Sequence, residues 1–573
     1  MAIEKPKKKR TGTVRPKPLQ TPADESIGAR FARITAPREL DDDEKRRKWE
    51  LPTADEPEKA GPYIIELNVQ HVRGLAGAEH AFKQVFQELT ELEGDSGHVN
   101  QAGDAEPLVE REPVRIAKSY YRCDFKDREW RKLIALDQTK PVGERSIYRI
   151  WPDFPVTAQT DRSMMTIKAD AALRSFDAAG TGITWAVIDS GIVATHPHFG
   201  SCDADSNRNR HALLADSVRY LHRCFADVGD MKDGVFRNDG PIPDPDLNPE
   251  MDREVLLKRH TEWALRDDYG HGTHVAGIIA GEAPEKLGVA ALQQEYQVDS
   301  DGTKIMQKYI CTGINAARYR GVAPRCKLVS LRVLDHKGKG RASQVIQALE
   351  YIRERVNDNT KLMRVHGVNL SVGYEFDAEM FACGQSPLCA QVDRLVQEGV
   401  VVVTAAGNTG YGTVAAYAGG AKVGLSNTIN DPGNAALAIT VGSTHRDSPH
   451  TFGVSYFSSK GPTGDGRLKP DLLAPGERIT SCAAGQKLET AKKKAGISEE
   501  NGVAAYYIDD SGTSMAAPHV SGAIAAFLSI RREFIGKPID VKRIFLESAT
   551  PLGRERYFEG HGLVDLMRAI QSV

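Results

Sequence analysis

The sequence lacks an excess of charge of either sign and any long apolar run. In 573 residues, 75 Lys and Arg stand against 77 Asp and Glu, a formal charge of -2, so no overall field favours nucleic acid or an anionic membrane. No segment reaches the ~20 apolar residues of a membrane-spanning helix. The basic stretch near the start is not followed by the apolar segment that a signal peptide has. We therefore expect no nucleic acid or membrane partner, and a cytoplasmic location.

Cysteine is scarce, and its spacing does not suggest a metal site. The eight cysteines are scattered between Cys123 and Cys482, which is too sparse for a disulfide scaffold in a chain of this length. Because no Cys-x-x-Cys pair occurs, a zinc ribbon is not expected. We expect reduced thiols and no required cofactor.

Composition divides the chain into three parts. Residues 1–60 are basic and polar with few aromatics, which is typical of a disordered tail. Residues 61–157 contain apolar alternation followed by helical spacing, which predicts a small α+β unit. The third part, residues 158–573, contains alternating strand and helix patterns, which are interrupted by insertions at about 199–267 and 282–320.

The third part alternates short apolar runs with helical patterns. The runs that predict strands are 184–188, 328–334, 368–372, 400–405 and 437–441, and helical spacing occurs at 343–355 and 391–398. Such alternation predicts an α/β fold, with a parallel sheet covered by helices on both faces. Sites in such sheets form at the carboxyl ends of the strands.

The first candidate site residue is Asp189, which ends the predicted strand 184–188. A carboxylate there lies at the edge of the sheet where a site forms. Taken alone the signal is weak, because Asp commonly ends strands and begins turns.

The second candidate is His271, at the start of the segment GHGTHVAGIIAG (270–281). Small residues dominate this predicted helix, so it must pack closely against its neighbours. The pair His271 and His274 does not match the zinc helix motif, which has His at i and i+4 with a Glu between them. We interpret His274 as a packed, hydrogen-bonded histidine.

The third candidate is Ser514, in the segment DSGTSMAAPHVSG (510–522). A glycine turn leads there into a second helix rich in small residues. A serine at such a turn can simply cap the helix. Pro518 is tolerated most easily near the first turn, which supports a helix that begins here.

Together the three segments resemble the signatures of the subtilisin-like serine proteases around Asp, His and Ser, in the order that subtilisin has them. The resemblance extends from about residue 167 to 573, interrupted by the insertions. It implies that Ser514 attacks a peptide carbonyl to form an acyl-enzyme, that His271 accepts and returns the proton, and that Asp189 orients the imidazole.

The resemblance also implies an oxyanion site and a substrate groove. The segment TAAGN ending at Asn408 resembles the one that carries the family's oxyanion-hole asparagine, and the backbone N–H of Ser514 would be the second donor. A protein or peptide substrate would bind extended, as an added strand. The strands beside it would be Gly338, Lys339 and Gly340 on one side and Ser371, Val372 and Gly373 on the other.

In order and position, the α+β unit before the peptidase region resembles the inhibitory prodomains of secreted relatives. The resemblance implies that this N-terminal region is an intramolecular inhibitor and that the chain is a zymogen. Its last strand and the connector 151–163 would enter the groove, with processing between Pro155 and Arg162.

Many relatives bind calcium, and the first insertion contains clustered aspartates. The spacing of Asp203, Asp205 and Asn207 lacks the Gly and the terminal Glu of an EF-hand loop. A solvated acidic loop is favoured, so no metal ligand is assigned.

Two other functions remain open. The first is a binding protein on an inactive protease scaffold, against which stands the presence of all three triad residues and Asn408. The second is an ester or lipid hydrolase, but the Gly-x-Ser-x-Gly elbow is absent around Ser514. Fluorophosphonate labelling that is lost in Ser514→Ala separates an enzyme from a binding protein.

Overall fold

The computed structural model describes residues 38–49, 51–94, 112–153, 155–158, 165–200, 210–232, 235–283, 288–298, 305–313, 319–359, 362–377, 379–380, 382–416, 419–497 and 503–573. Its strands, in chain order, are β1 (Gly61–Leu67), β2 (Val114–Ala117), β3 (Tyr120–Phe125), β4 (Ile147–Pro152), β5 (Pro155–Ala158), β6 (Thr184–Asp189), β7 (Arg223–Cys224), β8 (Asp227–Lys232), β9 (Val235–Pro241), β10 (Val289–Val298), β11 (Ile305–Gly313), β12 (Lys327–Arg332), β13 (Lys339–Arg341), β14 (Gly367–Leu370), β15 (Val372–Gly373), β16 (Val401–Ala405), β17 (Tyr411–Ala416), β18 (Gly419–Gly424), β19 (Ile439–Thr444), β20 (Leu472–Pro475), β21 (Ile479–Cys482) and β22 (Ala505–Asp510). Its α-helices are α1 (Asp43–Lys48), α2 (Gly74–Gly94), α3 (Asp127–Gln138), α4 (Ala169–Phe176), α5 (Arg253–Ala264), α6 (His271–Ile279), α7 (Ala342–Tyr351), α8 (Pro387–Gln397), α9 (Pro449–Phe452), α10 (Gly485–Ala495), α11 (Thr513–Ile530), α12 (Pro538–Ser548), α13 (Arg556–Glu559) and α14 (Leu566–Gln571).

A seven-stranded parallel sheet lies at the centre of the molecule, in the order β20-β19-β16-β14-β6-β12-β7. Successive side chains of a strand point to opposite faces. In β6, Ala186 and Ile188 join one apolar core with α7 and α8, while Trp185 and Val187 join another with α6 and α11. Helices therefore cover both faces, and the predicted α/β fold is confirmed.

Each of the five predicted apolar runs falls on a strand of this sheet, namely β6, β12, β14, β16 and β19. The edge strands β7 and β20 were not predicted, because they have only two and four residues. The helical pattern at 343–355 corresponds to α7, which continues into a π-helical turn at Ile352–Val356.

The region before the seven-stranded sheet forms a unit that we call the N-terminal unit, residues 38–153. Four antiparallel strands in the order β2-β3-β1-β4 make its sheet, and α2 and α3 pack on that sheet. Its apolar side chains are continuous with the core around α7 and α8. The unit thus contacts the helices that cover one face of the seven-stranded sheet.

The prediction of a disordered tail through residue 60 is wrong for the part that the structure describes. Leu40, Trp49 and Leu51 are at most 3% exposed, and the buried Arg46 pairs with Asp127 at 2.7 Å. A few apolar residues suffice to anchor this segment, although its average composition is polar. Residues 1–37 lie outside the described residues.

Both predicted insertions contain ordered elements. The first contains the β8–β9 hairpin and α5, and the second contains the long β10–β11 hairpin. That second hairpin pairs with β22, which leads directly to Ser514, in a four-stranded sheet β11-β10-β22-β21. The β17–β18 hairpin and α10 were not predicted.

The cysteines whose side chains are described are buried free thiols, as the sequence predicts. They are Cys123, Cys224, Cys326, Cys383, Cys389 and Cys482.

Among the described residues, one helix, Thr513–Ile530, has the length and mean hydropathy (1.2) of a membrane span. It is 89% buried inside the protein, as the central helix of a folded domain is.

Candidate active site

Asp189, His271 and Ser514 lie at the ends of three elements that meet at the carboxyl edge of the sheet. Asp189 is the last residue of β6, His271 is the first of α6, and Ser514 is the second of α11. All three side chains are at most 1% exposed. The sheet edge that was expected from strand order therefore carries all three residues.

A hydrogen bond of 2.7 Å joins His271 Nδ1 to Asp189 Oδ1. Because a carboxylate only accepts, the proton lies on Nδ1, and the lone pair of Nε2 is left for a proton from another group. The backbone N–H of Ser190 donates to the same carboxylate oxygen at 2.7 Å. The carboxylate thus fixes both the tautomer and the orientation of the ring.

Glycines let the His271 helix approach its neighbours, as the small-residue pattern predicts. Gly270 has φ +98°, and a Cβ there would lie 2.1 Å from the Ala484 carbonyl oxygen. A Cβ on Gly272 would lie 2.2 Å from the carbonyl oxygen of Gly191, just after Asp189. The two backbones could not meet this closely with any other residue at 272.

Ser514 and Ser371 are joined by two hydrogen bonds. Ser514 Oγ donates to the Ser371 carbonyl at 3.0 Å, and Ser371 Oγ donates to the Ser514 carbonyl at 2.7 Å. Pro518 explains the second bond, since it lies inside α11 and has no N–H for the carbonyl four residues earlier. It stands in the second turn of the helix, beyond the first turn that was predicted.

Asn408 lies beside Ser514 and is oriented by Thr513. Its Oδ1 accepts from the Thr513 backbone N–H at 2.9 Å and from Thr513 Oγ1 at 3.0 Å. With its oxygen bound on that side, the amide directs its NH₂ group the other way. The Thr513 hydroxyl also accepts from the Gly407 N–H at 3.1 Å.

The two predicted substrate strands are close together and hold a segment of the same chain between them. In the three-stranded antiparallel sheet β13-β5-β15, Lys339 and Gly340 pair with Thr157 and Val156. On the other side, Val372 and Gly373 pair with Ala158 and Thr157. The third predicted glycine, Gly338, has φ +72° and packs closely against the Tyr269 ring. Ser371 directly precedes β15 and contacts Ser514, so the β15 side borders the site, and β13 is joined to it through β5.

A small cavity of about 20 Å³ lies beside Ser514. It is lined by Ser371, Val372, Gly373, Ala405, Gly407, Asn430 and Ser514. Asn430 lies in no segment that the sequence analysis singled out.

His274 is a packed histidine, as predicted. Its Nε2 lies 3.1 Å from the Ile508 carbonyl, and burial lowers its pKa to about 3. Within the described ranges no group of three or more His, Cys, Asp or Glu side chains could hold a metal ion. The acidic positions 203 and 205 lie outside the described residues, so the question of calcium stays as the sequence leaves it.

The profile of the Subtilase family matches residues 180–563, which include all three triad positions and Asn408. The chain belongs to this family. Among its relatives, serine protease AprX of Bacillus subtilis is 30% identical over 296 residues, covering 50% of this chain and 55% of AprX. Pyrolysin of Pyrococcus furiosus is 29% identical over 340 residues, covering 53% of this chain and 21% of pyrolysin. Subtilisin E of Bacillus subtilis is 29% identical over 328 residues, covering 57% of this chain and 62% of subtilisin E. The chain thus covers less than two thirds of each of these relatives.

Proposed function

We propose that the chain is a serine endopeptidase that is made as a zymogen and inhibited by its own N-terminal unit. The observation that carries the catalytic part is the 2.7 Å bond between His271 Nδ1 and Asp189 at the sheet edge that also holds Ser514. It prepares Nε2 to accept a proton, which a serine hydroxyl needs in order to act as a nucleophile.

In the first step, the Ser514 hydroxyl turns from the Ser371 carbonyl to His271, and Nε2 takes its proton as Oγ attacks the peptide carbonyl. His271 then gives the proton to the leaving amine, and the C–N bond breaks to leave an acyl-enzyme. A water repeats the sequence and releases the acid. Asp189 stabilises the positive imidazole in both halves.

The tetrahedral intermediate carries a negative oxygen, for which Asn408 and the Ser514 backbone N–H are the donors. The bonds from Thr513 support this role, because they hold the amide in one orientation before substrate arrives. Loss of one such donor in subtilisin costs about 2.7–4 kcal/mol.

Substrate binds as an extended strand between β13 and β15, where backbone pairing accepts any sequence. Selectivity then depends on side-chain pockets, and a small cavity bordered by Asn430 lies beside Ser514.

The position of β5 supports inhibition by the same chain. Residues Pro155–Ala158 pair with both strands and fill the place of a substrate. Their register also supports self-processing. Ala158 lies opposite Val372, and Ser371, the residue just before Val372, contacts Ser514. We therefore propose cleavage directly after the paired strand, within residues 159–162.

Asp153 supports the docking of the N-terminal unit. Its carboxylate is fully buried and accepts from the Ser343 N–H at 2.8 Å, at the start of α7. The Ser343 hydroxyl donates to it as well, and Arg122 of the N-terminal unit donates at 3.2 Å. Arg341 donates to the Asp153 carbonyl at 3.1 Å. A carboxylate at a helix N-terminus is favourable, so Asp153 fastens the unit just before β5.

Incubation of the purified full chain, followed by intact-mass measurement and N-terminal sequencing, tests both parts. We expect a new N-terminus within 160–162, fluorophosphonate labelling of the processed chain, and neither event in Ser514→Ala. Full activity of an unprocessed chain would refute the zymogen. A processed wild type that neither cleaves peptides nor reacts with the probe would refute the peptidase.

A further inference from the structure

Asp267 is a buried carboxylate, four residues before His271, that takes no part in the triad. It is 3% exposed and accepts four hydrogen bonds. Oδ1 accepts from Ser190 Oγ at 2.8 Å and from the Gly270 N–H at 2.7 Å. Oδ2 accepts from the Thr273 N–H at 2.8 Å and from Thr273 Oγ1 at 2.7 Å. Burial raises the pKa of this carboxyl, and the surrounding donors act in the opposite direction.

Two partners of Asp267, Ser190 and Gly270, are backbone neighbours of the residues that share the catalytic hydrogen bond, and the third, Thr273, lies two residues after His271. Ser190 follows Asp189, and its N–H binds the Asp189 carboxylate at 2.7 Å. Its hydroxyl, besides donating to Asp267, accepts from the Gly272 N–H at 2.9 Å. Gly270 and Gly272 enclose His271 on both sides. One carboxylate therefore connects the end of β6 to the start of α6.

We propose that Asp267 is a positioning residue, which sets the distance and angle between the Asp189 carboxylate and the His271 imidazole. The inference rests on the proposed peptidase function of the triad. Asp267 touches no reacting atom; it acts through the backbone on either side of the catalytic pair. Its effect should therefore fall on the chemical step, with substrate binding unchanged.

Asparagine at this position separates positioning from bulk packing, because it has the same shape. All four groups around Asp267 donate, and an amide NH₂ accepts nothing. The Ser190 hydroxyl can turn away from such a group, but the backbone N–H groups of Gly270 and Thr273 cannot. In Asp267→Asn, either the Gly270 N–H or the Thr273 N–H therefore loses its acceptor, whichever way the amide is oriented.

A matched control is Asp565→Asn. Asp565 is also a buried carboxylate, 2% exposed, and it caps α14 by accepting from the Arg568 N–H at 3.0 Å. It also accepts from Thr550 Oγ1 at 3.1 Å and from Lys168 Nζ. Its replacement opens a helix cap and removes an ion pair, and neither has a connection to the triad.

The experiment measures kcat and KM on a short chromogenic peptide for the processed wild type and both variants. A trace of wild-type enzyme processes the variants, and its own turnover is subtracted. We expect Asp267→Asn to lower kcat about 10- to 100-fold, the effect of a small displacement of catalytic groups. KM should stay within about twofold, since no substrate contact is lost. Asp565→Asn should leave both constants at the wild-type values.

A second readout is the proton NMR resonance of His271 Nδ1–H, identified by its loss in His271→Ala. Its hydrogen bond to a carboxylate moves it far downfield, and we expect it to shift upfield or disappear in Asp267→Asn only. Unchanged kcat and an unchanged resonance in Asp267→Asn would overturn the inference, as would an equal loss of kcat in Asp565→Asn.

If Asp267→Asn does not fold, Ser190→Ala gives the answer, because it removes one of the four bonds and keeps the carboxylate. We then expect a smaller but measurable fall in kcat, and wild-type kcat would overturn the inference. If the wild type neither turns over peptide nor labels at Ser514, the proposed function fails. The resonance of His271 still reports on positioning in that case, since it needs no turnover.

Discussion

Replacing Asp153 by Ala should weaken the hold of the N-terminal unit on the peptidase without changing catalysis. The substitution removes the carboxylate that connects Arg122 to the start of α7, where Ser343 donates from both its N–H and its hydroxyl. The backbone pairing of β5 with the groove remains. The experiment therefore isolates the contribution of one side chain to the proposed inhibition.

The structure bounds the size of this effect. Arg122 belongs to the same unit as Asp153, so the bonds of this carboxylate that cross to the peptidase are the two from Ser343. A hydrogen bond to a charged group contributes about 1.5–3 kcal/mol, and the lower value for each of the two bonds gives about 3 kcal/mol. A loss of about 3 kcal/mol corresponds to roughly 100-fold weaker association of the cleaved N-terminal unit with the peptidase.

The assay is a dilution series of the self-processed full chain, with peptide hydrolysis per molecule measured after equilibration. Activity appears as the cleaved N-terminal unit dissociates, and the protein concentration at which half of the activity appears reports the affinity. We expect this concentration to rise about 100-fold in Asp153→Ala, with unchanged kcat at high dilution.

Asp124→Ala serves as the control, because it removes the other carboxylate bound by Arg122, at 3.1 Å, and leaves the Asp153 bonds to Ser343 in place. Asp124 is partly exposed, so its loss should shift the midpoint by no more than about fivefold. The reasoning is refuted if Asp153→Ala has the wild-type midpoint, or if the two variants shift it equally.

Three further predictions concern the oxyanion donor, the serine pair and acid stability. Asn408→Ala should lower kcat about 10²- to 10³-fold with little change in KM, and steady-state kinetics that show an unchanged kcat would contradict the role. Ser371→Ala should lower the free energy of unfolding by about 1–3 kcal/mol, since the Ser514 carbonyl loses its donor. In a Pro518→Ala background the loss should be smaller, because the new backbone N–H at 518 serves the same carbonyl; equal losses in denaturant unfolding would contradict this. Burial lowers the pKa of several histidines to about 3 or 4, namely His196, His198, His222, His274 and His519. The unfolded chain therefore binds more protons than the folded one below about pH 6.5, so stability is full above that pH and falls as the pH drops towards 4. A melting temperature that stays constant between pH 7 and 4 would refute this.

The strands and the position of Asp189 at the end of β6 were predictable because their signals are local. Buried β-branched runs mark β6, β12 and β16, and a carboxylate at the end of β6 needs only the order of strand and turn. The tight glycine contacts around His271 were also predictable, because small residues along a helix allow it to pack closely against its neighbours. The arrangement of the three residues at one edge follows from the parallel sheet.

Long-range contacts account for what the sequence did not predict. Asp153 and Ser343 are 190 positions apart, and no pattern near either residue points to the other. Asp267 lies close to His271 in the chain, yet the link that it makes between β6 and α6 depends on Ser190, 77 positions earlier. The ordered segment around Trp49 was not predicted, because composition averages over a segment, whereas burial depends on a few side chains. Pro518 lies one turn later in its helix than predicted, and the hydroxyl that replaces its missing N–H comes from Ser371, 143 positions before Ser514.

The strand β5 belongs to the chain that it is proposed to block, and this has a kinetic consequence. A tethered segment meets its groove at an effective concentration set by the linker, in the millimolar range for short flexible connections. Cutting the tether replaces that value with the actual abundance of the protein. Release of the cleaved N-terminal unit then depends on the concentration of the protein. At low concentration the unit would dissociate and the enzyme would become active soon after cleavage, whereas at high concentration the unit would rebind. The same bond cleavage would thus have an immediate effect in one setting and a delayed effect in another.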